Sequence, residues 1–237
     1  MKKRIWELDA LRGLCILGMV VVHCVFDLVE LYGLIDWEYS PLFSFVMNWG
    51  GVLFLLISGI CVTLGSRCIR RGLLVFACGL VVSAVTYGMY YFDFSDKSII
   101  IYFGVLHCLG TCMLLWPLFR RLPHWVLAVI GLTLVFAGLH LRTLPRIDHP
   151  WFMIFGLPWT GFSSSDYFPL LPYLGFFLIG SALGKSLYRK KESLLPRVNP
   201  KNFLLRFLTL CGKLSLWIYM LHQPVLSGIL YLITTIS

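Results

Sequence analysis

Charge is what this sequence has least of. Only 13% of its residues are Asp, Glu, Lys or Arg, and 59% are hydrophobic. A soluble domain runs to about a quarter charged and about half apolar, so the shortage excludes an ordinary soluble domain. Internal repeats and low-complexity tracts are also missing, which leaves residues 1–237 as a single domain. The eight cysteines (15, 24, 61, 68, 78, 108, 112 and 211) include no CxxC pair, and all fall in or beside apolar runs. A disulfide framework belongs to small secreted domains, and these cysteines read as small hydrophobes in helix packing. No small-residue cleavage site follows the first apolar run, which is too long for a signal peptide, so an uncleaved first span is expected.

What is present is a series of apolar runs, near 13–33, 42–65, 72–92, 99–119, 124–141, 168–187 and 207–235. About 20 helical residues cross a ~30 Å hydrocarbon core. The fold class expected is therefore all-α, a polytopic bundle of about seven transmembrane helices. The net charge of +9 is explained by its placement and is no nucleic-acid signal. Lys2, Lys3, Arg4, Arg67, Arg70, Arg71, Arg120, Arg121, Lys185, Arg189, Lys190, Lys191, Arg197, Lys201 and Arg206 fall on one side, fifteen against Lys97, Arg142 and Arg146 on the other. The positive-inside rule then predicts a cytoplasmic N-terminus and an outer C-terminus. The lipid bilayer is the first partner implied. Two connections stand out. The outer segment 142–166, "RTLPRIDHPWFMIFGLPWTGFSSSD", is long for a bundle loop and too apolar to float in water, so it either dips into the interface or folds back over the bundle. The basic inner segment 185–206, punctuated by Pro196 and Pro200, reads as a solvated linker.

The first span, "LDALRGLCILGMVVVHCVFDLVELYG", carries Asp9, Arg12, His23, Asp27 and Glu30. At about 100° per residue all five fall in a stripe roughly 60° wide. Arg12 and His23 share that face, about 16 Å apart along the axis. A charge at mid-bilayer costs about 2.5–3.5 kcal/mol on insertion scales, so the stripe faces protein or water. Asp27, one turn beyond His23, is placed to hold its ring, the arrangement wanted in a general base; the alternative is a His–Asp bond that only joins helices. The fourth run places His107 in "IYFGVLHCLG". The seventh, "GKLSLWIYMLHQPV", places Ser215, Tyr219 and His222 on one face, with Pro224 expected to break the following turn. His23, His107 and His222 have comparable depths and are expected to converge. Three histidines also suit a metal or haem, but no companion ligand spacing supports one, and no metal is expected.

These blocks resemble a known family. "RIWELDALRGLCILGMVVVHCVFDL" is similar to the opening helix of the bacterial relatives of heparan-α-glucosaminide N-acetyltransferase, within the transmembrane acyltransferase superfamily. The spacing of Arg12 and His23 also resembles the first-helix motif of the integral-membrane acyltransferase-3 family. "GVLFLLISG", "IYFGVLHCLG", "DYFPLLPYLGFFLIGSALG" and "LSLWIYMLHQPV" look like further blocks of the bacterial family, in the same order. The resemblance implies acyl transfer, acetyl above all, from acyl-CoA to a hydroxyl or amine of a sugar or lipid acceptor across the bacterial inner membrane. It implies His23 as base or acyl carrier, with Asp27, His107 and His222 as further catalytic candidates. Arg12, Asp9, Ser215 and Tyr219 would serve acetyl-CoA. Arg142, Arg146, Asp148, Trp151 and Trp159 of the outer loop would dock the acceptor. Their alternative role is an aromatic interfacial belt. A homo-oligomer is compatible with this reading. Intramembrane His and Asp also suit a proton-coupled transporter, although no paired interrupted helices suggest its repeats. A non-catalytic protein of the same fold is the third reading.

Overall fold

The computed structural model describes residues 4–198 and 202–236. Lys2, Lys3, Pro200 and Lys201, invoked above for charge placement and loop breaking, lie outside the described residues. Eight α-helices are described: α1 (Trp6–Phe26), α2 (Pro41–Leu64), α3 (Cys68–Tyr91), α4 (Val105–Phe119), α5 (His124–Leu141), α6 (Leu170–Leu187), α7 (Phe203–Lys213) and α8 (Ser215–Ile236). No strand occurs among the described residues beyond an isolated bridge between Phe103 and Tyr167. Six helices are long and apolar enough to cross a membrane, and α4 is a shorter apolar helix. The chain is thus an all-helical, multi-pass membrane protein, and large apolar side chains such as Leu42, Val85 and Trp217 are left facing outward, as lipid contact requires.

The expected runs differ from these helices at three places. Residues 100–104 of the fourth run are non-helical, because Thr86 and Ser83 of α3 take the Ile101 backbone N–H and carbonyl before α4 begins. The seventh run is two helices. Arg206, Thr209 and Lys213 line one face of α7 and Phe203, Leu204, Phe207 and Leu208 the other, so α7 is amphipathic where α8 is apolar. Helix α8 also runs through Pro224 to Ile236 instead of breaking there. In hydrocarbon an interrupted backbone leaves polar groups unpaired, which favours a continuous helix with a single ladder bond missing.

The chain forms two compact units, Met1–Phe54 with Glu192–Ser237, and Leu55–Lys191. In the first, α1 packs on α7 and α8. Glycine permits the closest approach: a Cβ on Gly13 would strike the Leu208 carbonyl, and one on Gly212 the Asp9 carbonyl. The contacts of α1 with α8 run in register order, Arg12 with Ser215, His23 with His222, Asp27 with Gln223 and Tyr32 with Ser227, so the two helices are parallel. Glu7, 6% exposed, accepts from Ser193 Oγ at 2.9 Å and the Leu194 N–H at 2.8 Å. This corrects the reading of 185–206 as a merely solvated linker: its two ends are helical, and a buried carboxylate clasps its middle.

In the second unit α3 packs on α4 and α5 on α6. The α5–α6 pair meets at Gly131 and Gly175, each close to the other's carbonyl. The long 142–166 loop folds back over its own unit. It carries a 3-10 turn at Pro150–Phe155, and Ser165 Oγ donates to the Ile99 carbonyl at 2.8 Å. Asp166 accepts from the Val105 N–H at 3.0 Å, capping α4. Burial against the loop raises the pKa of the Tyr167 phenol, whose hydroxyl donates to the Met153 carbonyl.

Candidate functional site

The polar stripe of α1 faces α8, and this seam holds the candidate site. At its lower end Arg12 Nη2 donates to Ser215 Oγ at 3.0 Å, and the guanidinium lies over the Phe54 ring, 5.9 Å from its centroid. Ser215 is 2% exposed, and the buried Arg12 Nε has no partner among the described residues. Asp9 meets Arg4 at 3.9 Å.

Further along, the imidazoles of His23 and His222 meet edge to face, with ring centroids 4.9 Å apart. The Tyr219 ring lies 5.5 Å from that of His222. His222 Nδ1 stands 2.6 Å from the Tyr219 carbonyl oxygen. A carbonyl can only accept, so Nδ1 carries the proton, and in the neutral ring Nε2 holds the lone pair. Nε2 is buried and has no partner among the described residues. A buried acceptor of this kind costs free energy unless something pairs with it, which marks it as a place for a ligand proton.

The Asp27–His23 hydrogen bond expected from helical phase is absent. Phe26 is the last α-helical residue of the first span, and Asp27–Leu31 form a π turn in which the Tyr32 N–H reaches back to the Asp27 carbonyl at 2.9 Å. The wider turn changes the helical phase only past Asp27, whose own N–H still bonds the His23 carbonyl in the α pattern. Asp27 is 2% exposed, and Gln223 Nε2 donates to its two carboxylate oxygens at 3.1 and 2.8 Å. Gln223 Oε1 is a second buried acceptor without a partner among the described residues. Glu30 turns out of the stripe, is exposed, and accepts from the Tyr39 hydroxyl at 3.3 Å.

His107 belongs to the second unit, and its surroundings there are of another kind. Nδ1 accepts the Gly104 N–H at 3.3 Å, and Nε2 lies 3.4 Å from Ser83 Oγ, which itself donates to the Ile101 carbonyl. The ring packs against Phe76 and Phe103, and Gly79 makes room for it: a Cβ there would come within 3.0 Å. Both nitrogens are engaged in holding α3, α4 and the extended 100–104 segment together.

Four of the five candidates of the 142–166 loop brace it. Arg142 donates to the Tyr173 hydroxyl at 3.3 Å, Arg146 to the Phe162 carbonyl at 3.5 Å, and Asp148 accepts from Thr160 at 3.2 Å. Trp159 packs among Tyr102 and Phe162. Trp151 is 78% exposed. Among the described residues no group of three or more His, Cys, Asp or Glu is placed to hold a metal ion.

Sequence reasoning missed Gln223 and Glu7. Gln223 had a signal, an amide deep in an apolar run beside His222. Glu7 stood one residue before the stretch whose phase was counted.

Compared with known proteins, residues 4–224 match the family described as "Heparan-alpha-glucosaminide N-acetyltransferase, catalytic". No curated protein and no solved structure matches.

Proposed function

The chain belongs to the heparan-alpha-glucosaminide N-acetyltransferase catalytic family, and on that premise we propose that it is a membrane-embedded acetyltransferase working in the α1–α8 seam. The donor is acetyl-CoA, and the acceptor is a hydroxyl or amine of a sugar or lipid. The observation that carries this reading is the unpartnered, buried Nε2 of His222 beside His23.

His222 is the base. Its Nδ1–H is tied to the Tyr219 carbonyl, which orients the ring and leaves Nε2 to receive the acceptor's proton as its oxygen or nitrogen attacks the thioester carbonyl. The C–O or C–N bond forms, the C–S bond breaks, and the proton passes from the imidazolium to the departing thiolate. His23, in ring contact with His222, positions it and excludes water. Gln223 Oε1 accepts from an N–H or O–H of a substrate. Arg12, whose Nε lacks a partner, meets the polar or anionic end of the donor. These orphaned groups, two acceptors and one cationic donor, fit a ligand rich in amides with an anionic end. That fit moves the base from His23, where the sequence motif put it, to its neighbour.

Parallel pairing of α1 with α8 supports an odd number of crossings, with α4 counted as one despite its length. That parity and the basic loops support an N-terminus in the cytoplasm and a C-terminus outside, and the resemblance to bacterial relatives supports a bacterial inner membrane.

The test is transfer of labelled acetyl from acetyl-CoA to a panel of glycans and lipids by the purified chain. The expected result is transfer that His222→Ala removes. Full transfer by His222→Ala, or no binding or turnover of acetyl-CoA by the wild type, would sink the reading.

A further inference from the structure

A second site lies in the Leu55–Lys191 unit and uses none of the groups invoked above for acetyl transfer. Three membrane-spanning helices end around one cleft: the C-termini of α2 and α6 and the N-terminus of α5. Its volume is about 410 Å³. Thr63, His124, Lys185, Arg189 and Lys191 are among its lining residues, and no carboxylate is. Three basic side chains around one cavity repel each other unless an anion sits between them.

The cations are held in place by different means. Lys185 Nζ donates to the Arg120 and Leu122 carbonyls at 2.7 and 2.6 Å, which uses two of its three protons. Lys191 has φ +57°, a left-handed conformation that a lysine rarely adopts, and its N–H is bonded to the Tyr188 carbonyl at 2.9 Å. That turn swings the chain back after α6, so that Arg189 and Lys191 line the same cavity. Thr63 Oγ1 donates to its own helix at the Ile60 carbonyl, 2.8 Å away, and its lone pairs remain for a proton-bearing ligand oxygen.

We infer that this cleft binds a phosphate ester, held by Arg189, Lys191 and Lys185 at the level where the spans leave the membrane. Arginine suits the paired oxygens of a phosphate, and lysine serves as a point charge. Two sources have this chemistry: the headgroup of an anionic phospholipid, and a soluble phosphate ester. The inference does not rest on acetyl transfer.

The experiment uses the full chain, purified in detergent, with phosphatidylglycerol and inorganic pyrophosphate as separate probes, and reads binding by titration. Arg189→Gln/Lys191→Gln is compared with Arg120→Gln/Arg121→Gln, which removes two charges outside the lining. The first variant is expected to weaken binding roughly 20-fold, about fivefold per cation at a phosphate surface, and the second by less than about twofold. Lys191→Gly keeps the left-handed turn without strain and removes one cation, so it provides a roughly fivefold loss if the double variant fails to fold. A loss seen with phosphatidylglycerol assigns the site to lipid, and one seen with pyrophosphate alone assigns it to a soluble ester. Equal losses in both double variants would reduce the cleft to diffuse surface charge. Unchanged binding in Arg189→Gln/Lys191→Gln and Lys191→Gly would overturn the inference.

Discussion

His107 and His222 are both largely removed from water, yet one is finished and the other is not. His107, in the second unit, has a protein group at each nitrogen and aromatic rings packed against it. His222, in the first, has one nitrogen fixed by a carbonyl and the other left without a partner. Burial alone therefore does not mark a reactive histidine. An unpaired nitrogen beside a paired one does, because the pairing selects the tautomer and the vacancy costs stability that a ligand restores.

The largest effect that would sharpen this contrast is in His222→Ala. Loss of a general base lowers kcat by about 10²–10⁴-fold, and the variant should keep its thermal unfolding temperature to within a few degrees. Near-normal turnover would erase the distinction between the two histidines. His23→Ala ranks next. As a neighbour that positions His222, it is expected to lower kcat by about tenfold to a hundredfold and to leave the KM for acetyl-CoA little changed; His23→Gln should restore part of the rate, whereas a proton acceptor would not be rescued by glutamine.

The opposite outcome is expected for His107→Ala. It strands the Gly104 N–H and leaves a cavity beside Phe76, costing about 2–4 kcal/mol. Denaturant or thermal unfolding should register the loss, while the folded fraction turns over at the wild-type rate. A folded His107→Ala protein with abolished turnover would return His107 to the catalytic set. The smallest effect belongs to Glu7→Ala, which frees Ser193 Oγ and the Leu194 N–H. Limited proteolysis in the 192–198 segment should quicken by about tenfold or more, the opening expected from losing hydrogen bonds worth about 1.5–3 kcal/mol to a charged acceptor.

Much of the architecture was legible beforehand. The runs 42–65, 72–92, 124–141 and 168–187 lie close to α2, α3, α5 and α6, since apolar length is a local property that lipid enforces directly. The candidate site was legible in part. Arg12 and Ser215 were both named for one role, and they do meet. Asp27 was assigned to the wrong neighbour although its helical phase was right, because phase gives the face a side chain shares and not which donor a second helix brings to it. Its partner Gln223 lies 196 positions away. The outer loop was left open between two conformations, and its fold depends on small polar bonds such as Asp166 to Val105 and Ser165 to Ile99, none of which has a periodic signature.

The sequence by itself determined that this is a helical membrane protein with a polar stripe on its first span, because burial in hydrocarbon acts on each segment independently. Only the tertiary structure decided which of the buried histidines is left with a free nitrogen. That outcome depends on which helices pack together and on the rotation of each about its own axis.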